Sequence, residues 1–185
     1  MLKKMRGFTL IELLIVVAII GILAALLIPN ALEAIQKAKQ KSAMKEIMTV
    51  NTGAVDYITD HGDFSLCTQA GPLVQGNPFM LAIATFYIKV IPVNDPWNFP
   101  YQAFTGTNVS TLIPNATALG TDDFAMGSYG RNKLPGPVFS GASYTTTNPE
   151  AGKYTVSRMQ DFDNDLVAWN GSWVCGPRTN IATGS

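Results

Sequence analysis

Reactive side chains are scarce in this sequence. Histidine occurs once, at His61, and cysteine twice, at Cys67 and Cys175. There is no glycine-rich phosphate loop, and one histidine with two distant cysteines builds no catalytic constellation, so an enzyme is not expected. A basic excess is missing too. Thirteen Lys and Arg face thirteen Asp and Glu, which leaves no cationic footprint for a nucleic acid. Charged residues make up 14% of the chain, too few to sustain disorder. The Gly, Pro, Ser, Thr and Asn past residue 60 instead suggest a loop-rich, β-containing surface domain. The cysteines are too far apart for a C-x-x-C motif, and two readings of them stay open. A single long-range disulfide would close a loop of about 100 residues, be worth roughly 4–5 kcal/mol, and need an oxidising compartment. Two buried free thiols are the alternative.

Apolar residues are abundant at the N-terminus. From Phe8 to Ile28 the only charge is Glu12, and at about 1.5 Å per residue this run matches a bilayer's hydrocarbon thickness of about 30 Å. Lys3, Lys4 and Arg6 precede it, which predicts an N-terminus held in the cytoplasm and a remainder that is exported. A cleaved secretory signal would be shorter and end at a small-residue site. Here Ala24-Ala25 runs into Leu26, Leu27, Ile28 and Pro29, then into strong helix formers. Glu12 is the anomaly, because a carboxylate inside a membrane costs several kcal/mol unless it is paired. No Lys or Arg follows within two turns, so its partner is expected outside the chain. The amine of a freshly exposed N-terminus on another copy would serve, if the chain were cut at or before Phe8.

The stretch Arg6-Gly7-Phe8-Thr9-Leu10-Ile11-Glu12 resembles the processing motif of type IV pilins and type II secretion pseudopilins. The resemblance implies a membrane prepilin peptidase that cuts between Gly7 and Phe8 and N-methylates Phe8. It also implies an assembly role for Glu12, facing a neighbouring subunit's amine, and places Pro29 in the assembly helix. The expected fold is α+β: a long N-terminal helix, half transmembrane and half amphipathic, packed on a small antiparallel β-sheet head with long loops. The expected parts are a leader at 1–7, a helix at 8–60 whose residues 8–29 span the membrane or form a filament core, and a β-rich head at 61–185.

Within the helix, Pro29 removes one backbone hydrogen bond, and with Gly21 it predicts a kink or local melting over residues 22–29. Ile28, Leu32, Ile35, Met44, Ile47, Val55 and Ile58 recur at helical steps and predict one apolar stripe. His61-Gly62 supplies the stop signal. Residues 81–91 fit a short helix or a strand equally well. Residues 105–123, rich in Thr, Asn, Gly and Ser, suggest a variable surface loop. Leu166–Trp169 and Ser172–Cys175 flank Asn170-Gly171, the preferred dipeptide of a two-residue type I′ hairpin.

Asp95-Pro96-Trp97-Asn98-Phe99-Pro100-Tyr101 is similar to the D-P-W-G-x-P-Y turn signature of major pseudopilins. Asp95, Pro96, Trp97, Pro100 and Tyr101 match. Asn98 replaces a glycine and is the non-glycine residue that best tolerates a left-handed backbone. Ser128-Tyr-Gly-Arg-Asn132 and Asp165-Leu-x-x-Trp169 resemble the elements that bring oxygen ligands to a structural calcium in that family. The resemblance therefore implies calcium at Ser128 and Asp165, with a hydrogen-bonded loop without metal as the alternative. Asn132 stands for an Asp and Lys133 for a Gly. No other cofactor is implied.

The function expected from these features is a structural subunit of a type IV pilus-like filament. A major pseudopilin of type II secretion is the alternative, and a minor pilin or tip adhesin is a third. Its partners would be copies of itself, the prepilin peptidase, an inner-membrane assembly platform and, as a monomer, the membrane. Localisation would be the bacterial inner membrane with the head in the periplasm, then an extracellular or periplasmic filament.

Overall fold

A computed structural model of the chain describes residues 7–84, 86–136, 144–145 and 147–178. The leader cations Lys3, Lys4 and Arg6 lie outside the described residues. The chain divides into two compact units, 1–37 and 38–185, and the second begins inside the first helix.

Helix α1 is Leu10–His61. It starts two residues after Phe8 because Thr9 caps it: the Glu12 amide donates to Thr9 Oγ1 at 3.3 Å, and Leu13 N donates to Thr9 O at 3.3 Å. In the first unit its Leu, Ile and Val side chains are exposed on every side, and α1 alone among the described helices is long and apolar enough to cross a membrane. The expected melting around residues 22–29 does not occur; the helix runs unbroken through Pro29. A proline removes one donor, the bond to the carbonyl four residues back, and long apolar residues on both sides keep the rest of the ladder.

In the second unit α1 buries Gln40, Ala43, Ile47, Val50, Asn51, Gly53, Ala54 and Tyr57. This stripe lies beside the expected one: Met44 and Ile58 are half-buried and Val55 is exposed. Small residues explain the difference. A side chain at Gly53 would run into Ile88, so glycine lets the helix and the segment carrying Ile88 approach closely. The helix ends as expected, with Gly62 left-handed (φ 89°) and its amide bonded to Ile58 O at 2.7 Å.

Strand β1 (Ala70–Pro72) is followed by α2 (Pro78–Ile83), which resolves the ambiguous segment as a short helix at its start, capped by the Asn77 side chain. Strands β2 (Gln102–Thr105), β3 (Phe124–Ser128), β4 (Lys153–Tyr154), β5 (Leu166–Trp169) and β6 (Ser172–Pro177) complete the sheet, and helix α3 (Val109–Leu112) lies between β2 and β3. Strand order is β1-β2-β3-β5-β6-β4, antiparallel except for β4 beside β6. Asn170 (φ 44°) and Gly171 (φ 78°) make the tight turn between β5 and β6, as their dipeptide predicts. Val167 opposes Cys175 and Ala168 opposes Trp173, so Val174 is the extra residue of a bulge.

Alternation along the strands sorts the core into two layers. Ala103, Phe124, Met126, Leu166 and Ala168 pack with the buried stripe of α1. Phe104, Ala125, Val167, Val174 and Cys175 pack on the opposite face with Val109, Leu112 and Ile113. Residues 105–123 are therefore more than a surface loop; α3 and its flanks cover the second face of the sheet. Asn51 ties α1 to the hairpin, its side-chain oxygen accepting from Gly171 N at 3.2 Å.

The same two-layer arrangement corrects the disulfide expectation. Both cysteines are buried and free, Cys67 in the layer beneath α1 and Cys175 in the layer beyond the sheet. Burial pushes both thiols above their ordinary range. Cys175 donates to Asp165 O at 3.0 Å, and Cys67 lies against Tyr57, whose hydroxyl that contact helps to push up to about 12. Alkylation of the native full-length chain should label neither thiol, and labelling after denaturation without reductant should modify both. An oxidised pair on non-reducing analysis would contradict this packing.

Candidate functional site

The N-terminal segment is open. Gly7 has nothing around the position of a side chain, and Phe8 is 77% exposed. The Glu12 carboxylate has a local partner after all. Its Oε2 accepts from Thr9 N at 2.8 Å and from Thr9 Oγ1 at 2.6 Å. Together with the Glu12 amide on Thr9 Oγ1, this is a reciprocal capping box. The expectation of a partner only in another chain rests on the absence of a nearby cation, and here an uncharged hydroxyl and amide take that place. The signal was present as T-x-x-E before an apolar run. Both bonds go to Oε2, so Oε1 keeps its acceptor capacity.

The Asp95 turn is organised around one buried carboxylate. Asp95 Oδ1 accepts from Trp97 N at 3.0 Å and Phe99 N at 2.9 Å, and Oδ2 accepts from Ser128 Oγ at 2.6 Å. Asp95 N donates to Phe99 O, Asn98 N donates to Asp95 O, and Tyr101 N donates to Val93 O. Asn98 takes the left-handed conformation, φ 62°, that its replacement of glycine requires. Pro100 bridges to Asn94, and Pro96 lies within the turn between Asp95 and Trp97. Trp97 and Tyr101 are buried, and Tyr101 Oη donates to Glu46 Oε2 at 2.8 Å. Burial, and then that bond, push the Tyr101 hydroxyl far above its ordinary range. The turn thus joins α1, through Glu46, to β3, through Ser128. The Ser128 link was not legible beforehand because it joins segments distant in sequence.

Among the described residues, the side chains near Ser128 and Asp165 are engaged by protein donors and acceptors. Ser128 gives its hydroxyl proton to Asp95, and Asp165, fully buried, accepts from Gly136 N at 2.7 Å through Oδ2. Asp161 accepts from Ser157 N at 2.6 Å and Arg158 N at 2.7 Å, bonds that hold its carboxyl below the usual range. Asp163 takes a two-pronged bond from Arg131, with Nε at 2.7 Å and Nη2 at 3.0 Å. Asn132 is exposed, its side-chain oxygen accepting from Leu134 N, and Lys133 sits beside it in the left-handed region (φ 61°). Calcium requires six to eight converging oxygens, and the Asp163 carboxylate is already held by the Arg131 guanidinium. Among the described residues no group of three His, Cys, Asp or Glu is placed to hold a metal.

An apolar N-terminal helix opened by a prepilin-type motif, whose distal half packs on a small antiparallel sheet, defines the pilin class of fold. Residues 2–28 match the family model described as the prokaryotic N-terminal methylation motif. The chain is 31% identical over 130 residues to the type II secretion system core protein G of Aeromonas hydrophila, covering 65% of this chain and 90% of that protein. Against the protein of the same name in Vibrio cholerae serotype O1 it is 32% identical over 128 residues, 65% of this chain and 86% of that one. Against that of Pseudomonas aeruginosa it is 38% identical over 106 residues, 54% and 73% respectively. No solved structure matches the chain. This chain belongs to the type IV pilin and type II secretion pseudopilin family.

Three outcomes follow for the head. Asp95→Ala removes an acceptor from three donors and should lower stability by about 2–4 kcal/mol in chemical denaturation. Gly130→Ala should cost about 1–3 kcal/mol, because Gly130 is left-handed (φ 68°) and a side chain there meets the carbonyls of Asn164 and Phe162. A divalent chelator should leave the thermal midpoint of the full chain in detergent unchanged, whereas Arg131→Ala should destabilise it by about 1 kcal/mol.

Proposed function

We propose that the protein is a structural filament subunit of a type II secretion system, in the place of the proteins named core protein G. The surface-pilus reading, favoured by the sequence alone, gives way to its alternative. The supporting observation is similarity across 86–90% of the length of two such proteins. The Asp95 turn, built on the residues that match the pseudopilin signature, agrees with it.

On this reading the apolar part of α1 anchors the monomer in the inner membrane with the head in the periplasm. The peptidase cuts between Gly7 and Phe8, and the new Phe8 amine is methylated. Assembly then moves the apolar helix from lipid into a core of identical helices. Both surroundings are apolar, so burial gives little drive and polar pairing decides the register. Glu12 serves twice: Oε2 caps its own helix, and Oε1 accepts the amine of a neighbouring copy.

Deleting the gene should leave secreted substrates trapped in the periplasm. Normal secretion with loss of sheared surface filaments would favour the pilus and overturn the proposal. The two roles of Glu12 separate by substitution. Glu12→Gln keeps a capping-box side chain but loses the charge, so insertion and cleavage should persist while filament yield falls about as far as in Glu12→Ala. Full assembly of Glu12→Gln would reduce Glu12 to a helix cap.

A further inference from the structure

The distal end of α1 carries a groove that the assembly reading does not use. It is a shallow, open depression of about 500 Å³ lined by Asp60, His61, Ala82, Phe86 and Tyr87. Tyr87 Oη donates to Asp60 Oδ2 at 2.8 Å and lies 3.3 Å from His61 Nδ1. The His61 ring stacks on Tyr57, with centroids 4.2 Å apart, and Phe86 stands edge-on to Tyr87 at 4.8 Å. Phe86 is 80% exposed. A large bare aromatic beside an exposed carboxylate suits one kind of side chain: a long amphipathic cation, whose methylenes cover the ring while its head group meets the acid.

The same chain carries such cations on the solvent face of the same helix. Lys41 and Lys45 are exposed, one turn apart, and neither enters an ion pair among the described residues. Asp56 and Asp60 are exposed further along that face. Between the two bands, Thr49 and Thr52 fold their hydroxyls back onto the carbonyls of Lys45 and Met48. The intervening surface is therefore short and uncharged, open to close approach by another helix. The face is basic at its proximal end and acidic at its distal end, so it complements itself only when a second copy is shifted along the axis.

We propose that the groove receives Lys41 or Lys45 of a second copy of this chain. The inference rests on the filament reading and adds a contact to it. Fifteen to nineteen residues separate these lysines from Asp60, so the contacting copies are offset by about 22–28 Å along parallel helices. The contact joins two different patches and does not close on itself, so it propagates as a filament. An exposed pair of this kind is worth up to about 1 kcal/mol, enough to select register when repeated at every subunit.

The test uses the full chain in cells that assemble the wild type; failure of the wild type to form filaments would count against the filament reading itself. Lys41→Glu with Lys45→Glu, and separately Asp60→Lys, should each lower filament yield about fivefold with cleavage and protein level unchanged. Combining them should restore yield to within about twofold of wild type. Phe86→Ser, a change at an exposed position, should lower yield without altering the thermal midpoint. Full yield in the reversed variants overturns the proposal. So does a loss that the combined variant fails to repair, which would assign the groove to a basic segment of some other protein.

Discussion

Everything in the head depends on how closely the distal half of α1 can approach the sheet. Ala43, Gly53 and Ala54 present almost no side chain, so Ile47, Val50 and Tyr57 reach the sheet layer of Phe124, Met126 and Leu166. Asn51 then fixes the axial position of the helix by bonding the hairpin turn at Gly171. A buried amide fits only where its partner is, so this bond sets register where apolar packing alone would tolerate sliding. The proximal half of the helix obeys a different rule. It buries nothing within its own unit, and its surface suits lipid or other copies of itself.

Polar clasps, each closed by protein groups, hold the loops to this frame. Asp95 gathers its own turn and reaches Ser128 on β3, while Tyr101 from the same turn reaches Glu46 on α1. Arg131 and Asp163 draw the loop after β3 to the short helical turn before β5. A guanidinium and its carboxylate satisfy each other with two directional bonds, which commits the Asp163 carboxylate to Arg131. The substitutions of Asn132 and Lys133 in the family pattern agree with this arrangement.

On the proposed assembly, Glu12 would serve both the monomer and the filament. Its capping bonds stabilise the first turn of a helix whose next residues are all apolar. The cost of a charge in that position is thereby reduced before any neighbour arrives. An ordered carboxylate with one oxygen still able to accept is better prepared for an incoming amine than one that must first be immobilised.

Local determinants were legible in the sequence. The processing motif, the apolar run, the helix stop at Gly62, the Asn170-Gly171 hairpin and the left-handed Asn98 each depend on a few neighbouring residues, and all but the processing event are visible in the fold. The Thr9–Glu12 cap is equally local, although a carboxylate in an apolar run points first to a cation as its partner. Tertiary structure alone decided the rest. Which stripe of α1 is buried depended on glycine and alanine, whose value lies in what they leave out. Residues 109–113 became core because the second face of the sheet needed a cover. Cys67 and Cys175 stayed apart because the turn after α1 lies in the layer beneath the helix while strand β6 turns Cys175 to the opposite face, and no count of positions between them could reveal that.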